Sequence, residues 1–139
     1  MKTFKTSRNI PILPDKIFAA FTDSERFAKW WGPSGFSNTF SRFQFEIGGK
    51  WSFVMHGPDG ENYPNEAEFI DIVPNKKVVI RHNQPDFTLT ILITNSEKGS
   101  LVHWIQEFDN DEVANKLAPI VEPSNEQNLD RLVEEVCGI

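Results

Sequence analysis

Histidine, cysteine and tyrosine are the side chains best suited to moving protons or attacking carbonyls, and the chain has three, one and one of them. His82 shares strand parity with Val78 and Ile80. If those two face a core, the imidazole is drawn inward, where it orients a polar ligand group, acts as a general base near neutral pH, or is a satisfied structural histidine. His56 has the opposite parity to Trp51, Phe53 and Met55, and His103 opposes Trp104, so both are expected to face solvent. The histidines therefore do not converge. With no H-x-H, HExxH or C-x-x-C spacing, neither a metal nor another cofactor is expected. Cys137 is the single cysteine and has no histidine near it in the chain, which favours an inert thiol. No G-x-S-x-G context and no glycine-rich phosphate loop is present, so nothing amounts to a catalytic constellation.

Polar residues set among apolar ones point more usefully to a site. Gln106 lies on a strand face otherwise made of Val102, Trp104 and Phe108. Burying its amide without a partner costs roughly 1–3 kcal/mol, so it bonds a neighbour or faces a wet cavity. Tyr63, Asn65 and Glu66 in the segment YPNE either rim a pocket mouth, with the Tyr63 hydroxyl and the Glu66 carboxylate as anchors, or form a solvated edge. Trp51, Phe53 and Met55 share one strand face, and Trp104 shares another. These large side chains fill a core or line a small-molecule cavity with few polar anchors. Near the C-terminus, Asn128 and Arg131 flank an apolar stripe; Arg131 is expected to pair with Glu134 or Glu135, or to reach a carboxylate ligand.

The elements that must position these residues follow from periodicity. Thr3 to Ile10 reads as a first strand, ended by Pro11 and Pro14. PDKIFAAFTD carries Ile17, Phe18 and Phe21 on one helical stripe. A second short helix follows, with Thr22 and Glu25 spaced as a capping box, Phe27, Trp30 and Trp31 at i, i+3, i+4, and a stop at Gly32-Pro33. From Phe36 the period becomes two. Candidate strands are Phe36–Ile47, Lys50–His56, Glu66–Val73, Lys77–Asn83, Phe87–Thr94 and Leu101–Phe108, separated by turn residues. Their short connections imply an antiparallel meander. In the hairpin from Phe43 to Gly60, Phe43, Phe45, Ile47, Trp51, Phe53 and Met55 make one face large and apolar, which needs a cover. Asp109 and Glu112 are placed to cap a helical segment that Pro119 and Pro123 should break. A capping box at Ser124 and Gln127 then starts a second helix with Leu129, Leu132, Val133 and Val136 on one stripe.

Composition sets the class. The chain of 139 residues, 39% hydrophobic and 24% charged, reads as one domain spanning 1–139. Its formal charge of -6, without a run of Lys or Arg, argues against nucleic-acid or anionic-membrane partners. No segment nears ~18 consecutive apolar residues and the first ten have no apolar stretch of signal-peptide type, so the expected location is the cytoplasm, without membrane insertion. The order of elements predicts an α+β fold of about seven antiparallel strands, curved around a long C-terminal helix, with two short helices between strands one and two.

Four stretches carry a resemblance: FAAFTDSERFAKWWGP at Phe18–Pro33, GGKWSFVMHGPDGENYPN at Gly48–Asn65, FIDIVPNKKVVIRH at Phe69–His82, and EPSNEQNLDRL at Glu122–Leu132. In these the chain resembles the START-like SRPBCC superfamily, in the single-domain branch homologous to the activator of the heat-shock-protein-90 ATPase. The resemblance implies the helix-grip fold and a cavity between the terminal helix and the sheet that relatives use for hydrophobic or aromatic molecules. It points to a small lipophilic ligand held by Trp51, Phe53, Met55, Tyr63, Glu66, His82, Trp104 and Gln106. A cyclase-like or hydrolase-like enzyme using the same pocket is the alternative. A third reading is a protein-interaction or chaperone-linked module, monomeric or homodimeric, that exposes Trp30, Trp31 and Phe36.

Overall fold

The structure is a computed structural model and describes residues 1–138. Strand β1 (Lys2–Ile10) is followed by helices α1 (Pro14–Thr22) and α2 (Ser24–Trp30). Strands β2 (Ser37–Phe43), β3 (Lys50–His56), β4 (Asn62–Val73), β5 (Lys77–His82), β6 (Phe87–Ser96) and β7 (Gly99–Phe108) come next, and helix α3 (Asp111–Cys137) closes the chain. The seven strands form one antiparallel sheet in the order β1-β7-β6-β5-β4-β3-β2. This is the helix-grip arrangement expected from the sequence. Because β1 and β2 are opposite edges, α1 and α2 carry the chain across the whole sheet, and α3 then returns over the same face.

Several local expectations need correction. The second strand stops at Phe43 instead of Ile47, because residues 44–49 turn back on themselves: Glu46 N bonds Gln44 O, and Gly49 N bonds Glu46 O at 2.8 Å. A Cβ on Gly49 would sit 2.0 Å from Gln44 O, so only glycine closes this turn. Ile47 rides on its outside, 64% exposed, and is not part of the apolar face. Strand β4 begins four residues earlier than expected, at Asn62. Asp23, and not Thr22, caps α2, its carboxylate accepting from Glu25 N at 2.9 Å; the Thr22 hydroxyl donates instead to Ala19 O.

The terminal helix is the largest correction. Residues 111–137 form one helix, capped by Asn110, whose side chain accepts from Val113 N, in place of Asp109. Pro119 and Pro123 do not break it. They lie four apart on the exposed face, so the carbonyls they free, those of Asn115 and Pro119, point to water. Meanwhile the inner face at Leu117, Ala118 and Val121 packs on Phe4 and Phe108. Arg8 fastens the next turns, bonding Asp130 at 2.7 Å and Glu126 at 3.1 Å. Ser124 and Gln127 therefore sit mid-helix and cap nothing.

The main core is aromatic. Phe27 on α2 lies within 6.4 Å, centroid to centroid, of Phe21, Trp30, Trp31, Phe40, Phe43, Trp51 and Phe69. Trp30 is fully buried and Trp31 is 7% exposed, so neither offers the exposed aromatic surface that an interaction module would need.

Candidate functional site

Between α3 and one end of the sheet a cavity of about 210 Å³ remains unfilled. Its floor is made by Phe53 and Met55 of β3, Asn65 of β4, His82 of β5, Phe87 and Leu89 of β6, and Trp104 and Gln106 of β7. Ser124, Asn125 and Asn128 of α3 form its roof, and Trp31, Gly32 and Pro33 form a side wall. Ladder register brings these groups together: Phe53 pairs with Asn65, Ala67 with His82, and Leu89 with Gln106.

His82 is 8% exposed, as its parity with the fully buried Val78 and Ile80 requires. Its ring stacks on Phe87 at 4.7 Å. Nδ1 faces Pro85 O at 3.0 Å and Nε2 faces Asn65 Oδ1 at 2.9 Å. Burial holds its pKa below the ordinary histidine value, with Arg81 adding to the lowering, while the Pro85 carbonyl and Asp86 pull the other way. Both ring nitrogens are engaged by protein atoms, so His82 presents no free lone pair to a substrate. Gln106, 7% exposed, accepts from Asn125 Nδ2 at 3.0 Å. The indole N–H groups of Trp104 and Trp51 are buried without an acceptor.

The side wall is held by α3. Asn128 accepts from Gly32 N at 3.2 Å and donates to Trp30 O at 2.7 Å. Arg131 Nη1 donates to the carbonyls of Trp31, Gly32 and Pro33, each at 3.0 Å, and Nη2 to Lys29 O at 2.6 Å. Arg131 therefore does not pair with Glu134 or Glu135. It satisfies the carbonyls at the C-terminal end of α2, where a cation is favoured by the helix dipole, and Glu135 pairs with Arg26 at 2.7 Å. Gly32 has φ 96°, a left-handed backbone that strains any residue with a side chain, and its open face lies against the flexible end of Met55.

Of the eight residues singled out from the sequence, Phe53, Met55, His82, Trp104 and Gln106 line the cavity. Trp51 does not: it is stacked between Phe53 at 4.7 Å and Phe69 at 5.3 Å, fully buried. Tyr63 is 43% exposed beyond the cavity's end, with its hydroxyl donating to Asp59 Oδ2 at 3.0 Å. Glu66 falls on the convex face, in a polar surface groove with Ser52 and Val54. Its neighbour Asn65 takes the inward position, since successive strand residues face opposite sides. His56 does not turn inward, and bonds Thr39 and Asn62 at 2.7 Å. Among the described residues, no group of three or more His, Cys, Asp or Glu could hold a metal ion, and no helix is long and apolar enough to cross a membrane.

The chain matches the family described as activator of Hsp90 ATPase homolog 1-like protein over residues 12–136. It belongs to that family. No curated protein is similar enough to count as a match. Among solved structures, a protein from Arthrobacter aurescens superimposes with TM-score 0.91 at 19% identity, covering 99% of this chain and 87% of that one. A protein from Nitrosomonas europaea gives 0.88 at 17%, covering 98% and 94%. The AHSA1-like protein from Aeromonas hydrophila gives 0.78 at 14%, covering 99% and 94%. At these identities the likeness is one of fold. In this family member, all four motif stretches noted above contribute to the cavity: WWGP as its wall, the Gly48–Asn65 hairpin and His82 as its floor, and PSNEQN as its roof.

Phe87, Leu89, Asn125 and the Trp31–Pro33 wall were not picked out as site residues by sequence. The signal for the roof was present: Asn125, Asn128 and Leu132 recur at i, i+3, i+7, which places the two amides on the buried stripe. The wall depends on Arg131 and Asn128 reaching some hundred residues back along the chain, which periodicity does not encode.

Proposed function

We propose that this protein binds one small, mainly apolar molecule in the cavity beneath α3. The observation that carries this reading is a 210 Å³ hollow with Phe53, Leu89, Phe87 and Trp104 on its floor, beside a half of the sheet where Trp51, Phe69 and Ile91 are fully buried. The walls have the composition of ligand sites, apolar surface with a few placed polar groups. Kinship with a superfamily that holds hydrophobic guests in this place supports the same reading.

Volume sets the size of the guest. Drug-sized sites run to about 300–1,000 Å³, whereas a cavity of about 150 Å³ holds a benzene. A hollow of 210 Å³ therefore suits a single substituted ring better than a sterol or polyketide. A thermal-shift series with toluene, indole and cholesterol checks this. A ligand at 100 times its dissociation constant adds about 2.7 kcal/mol, or several degrees. The small aromatic probes should raise the midpoint and cholesterol should not. A series in which none raises it would remove the reading.

A further inference from the structure

The hollow has one polar group left over. Gln106, 7% exposed, lines it and spends its carbonyl oxygen on Asn125 Nδ2 at 3.0 Å. Among the described residues no acceptor takes its Nε2 hydrogens, and Nε2 is not one of the sealed, unpartnered atoms, so the amide keeps open surface. Register sets Gln106 beside Leu89 on the floor, and the hollow is the space that this surface meets. The indole N–H groups of Trp51 and Trp104 differ: they are sealed away from any open space and reach no guest. A donor placed as deeply as Gln106 Nε2 is taken by water or by a guest.

Charge restricts the guest further. No Asp, Glu, Lys or Arg lines the cavity. Arg131 backs its side wall but turns its guanidinium to the carbonyls of Lys29, Trp31, Gly32 and Pro33. His82 sits between the Pro85 carbonyl at 3.0 Å and Asn65 Oδ1 at 2.9 Å, and burial favours its neutral form. An ion entering this space would give up its hydration with no opposite charge to replace it. The inward amide oxygens are engaged as well: Asn65 Oδ1 faces His82, Asn128 Oδ1 accepts from Gly32 N, and Gln106 Oε1 accepts from Asn125. Ser124 and Asn125 in the roof are half-buried, and Asn125 also borders the surface groove along β1, where water serves it. The open polarity of the buried floor is therefore a single donor.

Resting on the reading of the cavity as a ligand site, we propose that its guest is a neutral single-ring aromatic carbonyl compound, a ketone or an aldehyde. Its carbonyl oxygen accepts from Gln106 Nε2, and its ring packs against Phe53, Phe87 and Leu89. The site selects on both properties. The amide favours an acceptor over plain hydrocarbon, and the uncharged lining rejects the acid or the amidine of the same shape.

Titration calorimetry near neutral pH with four molecules of nearly one shape tests this: acetophenone, α-methylstyrene, benzoate and benzamidine. Acetophenone should bind, and benzoate and benzamidine should bind at least about tenfold more weakly. Gln106→Leu should raise the ratio of the acetophenone to the α-methylstyrene dissociation constant by about five- to tenfold. In the nitrogen-labelled wild type, the Gln106 side-chain amide resonances should move further with acetophenone than with α-methylstyrene, and they decide the matter if Gln106→Leu does not fold. Benzoate or benzamidine binding as tightly as acetophenone, an unchanged ratio in Gln106→Leu, or Gln106 resonances that move no further with acetophenone overturns the neutral carbonyl guest; α-methylstyrene binding in that case leaves the cavity reading intact. Binding by neither acetophenone nor α-methylstyrene overturns both.

Discussion

The two halves of the sheet's concave face are covered by helices of different character. Over Trp51, Phe69 and Ile91 lie α1 and α2, which bring down Phe18, Phe21, Phe27 and Trp30, and the space is solid. Over Phe53, His82, Leu89 and Trp104 lies the middle of α3, which brings down Ser124, Asn125 and Asn128, and the space is hollow. The sheet is continuous beneath both, so the side chains of the covering helix decide which half fills. Short amides in the roof leave room and at the same time anchor the wall that encloses it.

Breaking the solid half should cost most. Phe27→Ala removes the ring at the centre of the aromatic cluster and should destabilise by about 3–5 kcal/mol in urea unfolding. Arg131→Met leaves the carbonyls of Lys29, Trp31, Gly32 and Pro33 without their shared donor. About 2–3 kcal/mol should be lost, with faster hydrogen exchange at Gly32 and Ser34, whose amides bond Asn128 and Gln127, and unchanged exchange in β3.

A matched pair on β6 sharpens the contrast. Ile91 and Leu89 are two residues apart on the same inner face, one in the solid half and one in the hollow. Ile91→Phe should overpack and cost about 1–3 kcal/mol. Leu89→Phe should cost less than about 1 kcal/mol, because the added ring enters open space, and should abolish binding of toluene. Equal costs would mean that the halves do not differ as described.

The smallest effect concerns pH. Because burial lowers the His82 pKa in the folded protein, the unfolded chain takes the proton first as pH falls. The stability tied to a neutral His82 is complete above the ordinary histidine value of ~6.5 and declines below it. Urea midpoints of wild type and His82→Gln at pH 7.5 and 5.5 check the sign: wild type should lose more on acidification than the variant does.

The same contrast explains what could be read from sequence. Alternation placed Phe53, Met55, His82, Trp104 and Gln106 on the inner face, because strand parity is a local property that burial enforces. It also put Trp51 with them, since parity says which side a residue faces and not whether a helix ring already occupies the space above it; Phe27 does. The YPNE neighbourhood allows Tyr63 and Glu66 either a pocket rim or a solvated edge; parity puts Glu66 outside, and Asp59 holds the Tyr63 hydroxyl. Pro119 and Pro123 suggest breaks when taken singly, and their common exposed face is what lets the helix continue through them. The clamp of Arg131 on the α2 terminus is tertiary, so local patterns suggested an ion pair along its own helix.

The claim that the hollow under α3 admits a guest is tested most directly by nuclear magnetic resonance of the labelled protein titrated with toluene. Saturable shifts should gather at the Trp104 indole, Leu89, Phe53 and the Asn128 side-chain amide, with the amides around Phe27 unmoved. Shifts that fail to saturate, or that fall on the Phe27 cluster or the convex face, would contradict it.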